Sequence, residues 1–290
     1  MSSKKQFDVK LKSLRNTEKM ARTMKLVAMS KLYRSQENQR RAKAYAHSLQ
    51  DLIRRLAATL ETDAHALFTT RTPVQRVLIL VLTSDKGLCG SFNNSLCKDV
   101  RIWIEQNKDK YQQIDMSFCG KRGWMFFRKG ITVKNYYEGA TVKPNFSIAT
   151  QIGTDVSGNF LKGHYDEAYI AYNIYHSPLS QSATFEKILP IAKQELTSSA
   201  PKFSPQYIFE PRGKKLLEFL VPKYMHFKIY YALLENAAGE HAARMTAMDS
   251  ASKNARDLIA HYTLLRNRAR QAAITKELIE IVSGAEALKN

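Results

Sequence analysis

The stretch MDSASKNARDLIAHYTLLRNRARQA, residues 248–272, decides the fold. Along it Met248, Ala251, Ala255, Leu258, Tyr262, Leu265, Ala269 and Ala272 follow one another in alternating steps of three and four. A helix with that spacing buries a narrow seam against a second helix, as in a left-handed coiled coil. Small side chains dominate the seam, so the partner backbone can approach closely.

The partner is found at the other end of the chain. Residues 1–72 contain neither proline nor glycine, and MKLVAMSKL (24–32) lies among them. Apolar residues recur there at helical spacing, as Met20, Met24 and Val27 and later as Tyr45, Leu49, Leu52, Leu56 and Leu60. All eight prolines lie between Pro73 and Pro222, and ten of the twelve glycines between Gly87 and Gly213. Both flanks are thus almost free of helix breakers. Two helices are predicted, from about residue 4 to 60 and from about 214 to 286, with a bend or a helix start at Pro222. At ~1.5 Å per residue, ~55 residues make a helix of ~80 Å, too long for a compact domain. The expectation is an antiparallel pair, with Met24, Val27 and Ala28 turned inward and Lys25 and Lys31 outward.

The middle of the chain has another grammar. RVLILVLTS (76–84) is a continuous apolar run rich in β-branched residues, as in a strand buried on both faces. Residues 91–110 and 121–130 read as helices. Residues 113–120, 131–139, 167–177 and 183–191 read as strands, the last at an edge because of Pro190. Alternating strands and helices predict a mostly parallel, Rossmann-like α/β domain inserted between the helices of the coiled coil. The expected division is 1–72, 73–212 and 213–290.

Composition narrows the function. The net charge is +19, and residues 1–72 alone carry 16 Lys and Arg against 6 Asp and Glu, a net of +10. Such a basic segment fits an acidic partner, whether nucleic acid, anionic lipid or acidic protein loops, or it is a solvated helix face. No apolar run is long enough to span a bilayer. The first residues lack the apolar core of a signal peptide. Cys89, Cys97 and Cys119 are odd in number and form no CxxC pair, which fits free thiols in a bacterial cell interior.

Catalytic signatures are sparse. TSDKGLCGSFN (83–93) joins a strand to a helix, where α/β folds often hold phosphate, but it matches neither GxGxxG nor GxxxxGK[ST]. A tight turn is its default reading. No HxxxH or HExxH pair and no GxSxG motif occurs. Cys89 reads as a packing residue, and His241 and His261 as surface or seam residues. No cofactor, metal site or catalytic site is expected. From the residues alone, three readings stand: a mechanical interaction protein, a nucleic-acid-binding protein with a basic coiled-coil arm, and a nucleotide-dependent α/β enzyme. The missing phosphate loop weighs against the last. The missing RNA-binding, zinc and helix-turn-helix patterns weigh against the second.

Four stretches, in order and across almost the whole chain, resemble the gamma subunit of rotary F-type ATP synthase. They are LRNTEKMARTMKLVAMSKL (14–32), TSDKGLCGSFN (83–93), AARMTAMDSASKNA (242–255) and RNRARQAAITKELIEIVSGAEAL (266–288). The resemblance implies a central shaft without catalysis of its own. It would stand inside the alpha and beta ring, beside the epsilon subunit and on the membrane c-ring, at the cytoplasmic face of the bacterial inner membrane. It also implies subunit-interface roles for Arg244, Arg270, Gln271, Thr275 and Glu277 on the C-terminal helix, and for Tyr207 and Glu210 near epsilon and the c-ring. Lys25 and Lys31 would face an acidic segment of beta. Arg266 stands where the family usually has tyrosine. The paired cysteines of redox-switched chloroplast members are absent.

Overall fold

A computed structural model of the chain describes residues 2–59, 65–191 and 214–287. Helix α1 is Ser2–Thr59 and the C-terminal helix, α5, is Lys214–Ala287. Between them come β1 (Arg76–Leu82), α2 (Phe92–Asn107), β2 (Gln113–Cys119), α3 (Lys121–Phe127), β3 (Val133–Tyr137), α4 (Phe146–Leu161), β4 (Glu167–Ser177) and β5 (Ser180–Leu189). The packing divides into two compact units, 1–28 with 245–290, and 29–244.

The first unit is an antiparallel helix pair. Phe7 meets Tyr262 at 6.3 Å between ring centroids, Glu18 pairs with Arg256 at 3.7 Å, and Lys25 pairs with Asp249 at 2.6 Å. Rising numbers on α1 thus meet falling numbers on α5. On α1 the seam runs through Phe7, Leu11, Leu14, Glu18, Ala21, Lys25 and Ala28, in steps of four and three. Leu11, Ala21 and Ala28 are its buried members. Val27 and Met20, expected inside, are 51% and 59% exposed. They lie one position to the side of the true seam residues Ala28 and Ala21.

On α5 the heptad period holds, and half of the expected seam is displaced by one residue. Met248 and Ala255 are buried and Tyr262 and Ala269 half-buried, as read from the spacing. The alternating positions are Ser252, Ile259, Arg266 and Ala273. Leu258, expected in the seam, is 45% exposed, and Ala272 is exposed. The seam accepts polar groups because cross-helix partners satisfy them. Arg266 reaches Asp8 at 3.8 Å.

The second unit is built on a five-stranded sheet of order β3-β2-β1-β4-β5. β1 pairs in parallel with β2 and β4, β2 pairs in parallel with β3, and β5 is an antiparallel edge. β1 is central, which explains its unbroken apolar run. Leu78, Leu80 and Leu82 face one core layer with α4 and with parts of α1 and α5. Ile79 and Val81 face the other layer, with Leu96 and Val100 of α2 and Phe127 of α3.

Two local outcomes differ from the sequence reading. Helix α4 was not expected, because FSIATQIGTDVSGNFL carries two glycines and several β-branched residues. Its start is fixed by Asn145, whose side-chain oxygen accepts from the Ile148 amide at 2.8 Å, and its packed face is Ala149, Ile152, Gly153, Val156 and Phe160. Pro222 does not begin a helix. It lies inside α5, and the buried Leu217, Val221 and Met225 around it offset the missing backbone bond.

Candidate coupling interface

Arg270, Gln271, Thr275 and Glu277 are exposed, and among the described residues none of them makes a hydrogen bond or ion pair. Ile274, Leu278, Ile279, Ile281 and Val282 are interleaved with them and are 49–68% exposed. This end of α5 therefore offers both polar groups and a bare apolar surface.

Lys25 does not simply point outward. Its ammonium pairs with Asp249, which also holds Lys253 at 2.9 Å, and the Lys25 hydrogen bond leads the causes that hold the Asp249 carboxyl down to about 2. Lys31 is exposed, and its charge acts on the ionisation of Glu240 and His241. Tyr207 and Glu210 lie outside the described residues.

Arg244 departs furthest from expectation. Its side chain is 11% exposed and is committed within the chain. The guanidinium pairs with Glu240 at 2.7 Å and donates to the Gly87 carbonyl at 3.1 Å and to the Lys86 carbonyl at 3.3 Å. The turn that it grips is the TSDKGLCGSFN segment. There the Ser84 amide donates to Asn93 Oδ1 at 2.8 Å, and Asn93 Nδ2 donates to Ser84 Oγ at 2.7 Å. Asp85 accepts from the Lys121 amide and from Thr141 Oγ1, both at 3.0 Å. Leu88 and Gly90 take positive φ, 63° and 59°, so the turn needs outside support at its non-glycine member. At the turn's base Gly120 has φ 101°, and a Cβ there would lie 2.2 Å from the Thr83 carbonyl oxygen. Cys89 is buried against Asn93, as a packing residue.

Glu235, Asn236 and Glu240 are buried on the stretch of α5 that leads to Arg244. Sequence reasoning passed over them. The signal was present in LLENAAGEHAARM, where carboxylates and an amide interrupt an apolar and small-residue run. Burial raises the Glu240 carboxyl pKa. Burial, with Arg244 and Lys31 nearby, lowers that of His241 to about 4.

Among the described residues no cluster of three or more His, Cys, Asp or Glu is placed to hold a metal, and no helix is long and apolar enough to cross a membrane. A long antiparallel helix pair, an α/β sheet and a strand-to-helix turn committed to the chain's own helix define a protein of the coiled-coil plus α/β class. A family model described as ATP synthase matches residues 3–288. ATP synthase gamma chains of Trichlorobacter lovleyi and Chlorobium limicola are 40% and 38% identical to the chain, with 100% of each chain covered. A central-stalk and c-ring structure of the Tetrahymena thermophila mitochondrial ATP synthase matches 80% of the chain and 99% of its own, at 26% identity and TM-score 0.60. A Euglena gracilis mitochondrial ATP synthase structure covers 99% and 95%, at 19% identity and TM-score 0.67, and shares the fold. The chain belongs to the ATP synthase gamma-chain family, the non-catalytic rotor subunit of the proton-translocating ATP synthase. The comparisons give the nucleic-acid reading no support.

Proposed function

We propose that the chain is the shaft that turns with the c-ring and drives the catalytic sites of the beta subunits through their states in sequence. Its partners are the alpha, beta and epsilon subunits and the c-ring, and its place is the cytoplasmic face of a bacterial inner membrane. The full-length match to gamma chains carries this reading. The unpartnered surfaces support it. Lys5, Lys12, Arg15, Lys19 and Arg22 follow one another along α1 in steps of seven, three, four and three, all exposed and with no ion pair among the described residues. A basic stripe of this kind suits acidic loops passing at successive angles. Exposed pairs contribute about 0–1 kcal/mol each, weak enough to break at every step. Arg270, Gln271, Thr275 and Glu277 are the residues we assign to the subunit interface on α5, with Lys25 and Lys31 on α1 and Tyr207 and Glu210 toward the membrane side. In this scheme 1–72 and 213–290 form the shaft and 73–212 its base.

Co-expression with its own alpha and beta subunits tests the reading. The expected result is a complex that survives high salt and hydrolyses ATP. Recovery of salt-labile nucleic acid without those subunits would falsify it.

A further inference from the structure

In doubly wound α/β sheets the ligand site lies outside the carboxyl ends of the strands, where the strand order reverses. Here β2 and β3 lie on one side of β1, and β4 and β5 on the other. The reversal therefore falls between the carboxyl ends of β1 and β4. That crevice is filled by the chain's own helix α5.

The filling is polar and specific. Glu235 accepts from the Tyr175 amide of β4 at 3.1 Å, and Gln39 of α1 donates to the same carboxylate. Asn236 Nδ2 donates to the Thr83 carbonyl, just beyond β1, at 3.4 Å. Gly239 lies under Phe92, and a Cβ added there would sit 3.0 Å from the ring. One turn further on, Arg244, paired with Glu240, grips the Lys86 and Gly87 carbonyls. These positions fall at i, i+1, i+4, i+5 and i+9 and span about half of the helix circumference, with the long Arg244 side chain at one limit of the arc. Glu235, Asn236 and Glu240 are 5%, 0% and 7% exposed.

We propose that this filled crevice acts as a torque clasp, with Arg244 as the positioning residue that fixes the 83–93 turn to α5. The proposal rests on the rotor reading above. A force on the sheet reaches α5 by two routes. Apolar packing resists separation, but it is non-directional and resists sliding poorly. The clasp supplies directed, charge-assisted hydrogen bonds to backbone carbonyls across the sliding direction. Methionine at 244 keeps much of the side-chain volume and removes every donor. Lysine keeps the charge toward Glu240, but its single ammonium does not reproduce the planar fork that spans two carbonyls.

The test uses the assembled complex in sealed vesicles, comparing wild type, Arg244→Met and Arg244→Lys. Protons pumped per ATP hydrolysed are measured for equal amounts of assembled complex, with hydrogen exchange at the amides of 84–93. For Arg244→Met we expect exchange in the turn to quicken by about tenfold or more. We also expect the pumped-proton ratio to fall, by about twofold or more if slippage competes with transmission. Arg244→Lys falls between the two. A wild-type ratio in Arg244→Met, with the turn loosened, shows that the clasp only stabilises the fold and overturns the proposal. If Arg244→Met does not assemble, the lysine variant decides, and a wild-type ratio there overturns the proposal equally. A wild-type chain that forms no pumping complex refutes the rotor reading itself and leaves a distinct record.

Discussion

At the scale of single residues, the buried face of α5 sets a pH limit on stability. His241 is packed beside Arg244, whose Nη1 lies 3.5 Å from His241 Nδ1, and Lys31 approaches from α1. Arginine only donates, so the imidazole accepts at Nδ1 and is neutral when that contact forms. Glu240 offsets part of the positive field, but it is engaged with Arg244. The folded-state pKa falls from 6.5 to about 4, chiefly through burial. Between those values the unfolded chain binds a proton that the folded chain refuses. Stability is therefore full above 6.5 and is lost as pH falls toward 4, by about 1–3 kcal/mol for this group. Thermal unfolding at pH 7 and pH 5 should show a larger drop for wild type than for His241→Gln. An equal drop in both would remove His241 from the account. The Asp249 carboxyl, held down to about 2, acts in the same sense at lower pH, its contribution being lost only as pH falls below the usual carboxylate range.

At the scale of elements, the seam of the helix pair makes contrasting predictions for neighbouring sites. Leu11→Ala should cost about 2–4 kcal/mol, because Leu11 is 2% exposed, whereas Val27→Ser should stay within about 0.5 kcal/mol. Denaturant titration of the two variants decides; comparable losses would restore Val27 to the seam. The Lys25–Asp249 pair joins two partly exposed side chains, 39% and 30%. A double-mutant cycle should give a small coupling that shrinks further in salt. On α4, a Cβ at Gly153 would lie 2.2 Å from His226 Cδ2 of α5. Gly153→Ala should lower the thermal midpoint through a loss of about 1–3 kcal/mol, and adding His226→Ala should recover part of it.

The same elements explain what the sequence disclosed. Helix ends near 4, 60, 214 and 286, and the strand runs at 76–82 and 113–119, were legible because breakers and apolar runs are local signals. The period of three and four was legible as well. Which of two adjacent residues faces the partner was not, since a heptad pattern with alanine and serine has nearly equal apolar content on neighbouring stripes. Ser252 and Arg266 displaced Ala251 and Leu265 from the inner positions for that reason. Arg244 was legible as part of a matched motif. Its partner was not, because the Lys86 and Gly87 carbonyls are more than 150 residues away. Helix α4 owes its existence to burial against the sheet rather than to propensity, so the sequence alone hid it.

At the scale of the whole molecule, function belongs to surfaces and continuity rather than to a pocket. The crevice where a nucleotide would sit is filled by α5, so calorimetric titration of the isolated chain with ATP should give no stoichiometric binding in the micromolar range. Saturable heat at that concentration would contradict a non-catalytic shaft. On the opposite count, replacing Arg270 and Gln271 together with alanine should leave folding almost unchanged, since both are exposed and alanine is a good helix former. Pumping and ATP turnover per assembled complex should fall instead. Normal assembly with wild-type turnover and pumping would exclude that face from torque transfer.

The central claim is that this chain turns against the catalytic ring. Leu179, at the β4–β5 turn, is 83% exposed and offers a place for a probe on the sheet. With the ring fixed to a surface and a bead on a cysteine introduced at 179, ATP should drive rotation in one direction at a rate that follows ATP turnover. A bead that stays still while the same complexes hydrolyse ATP would contradict the account.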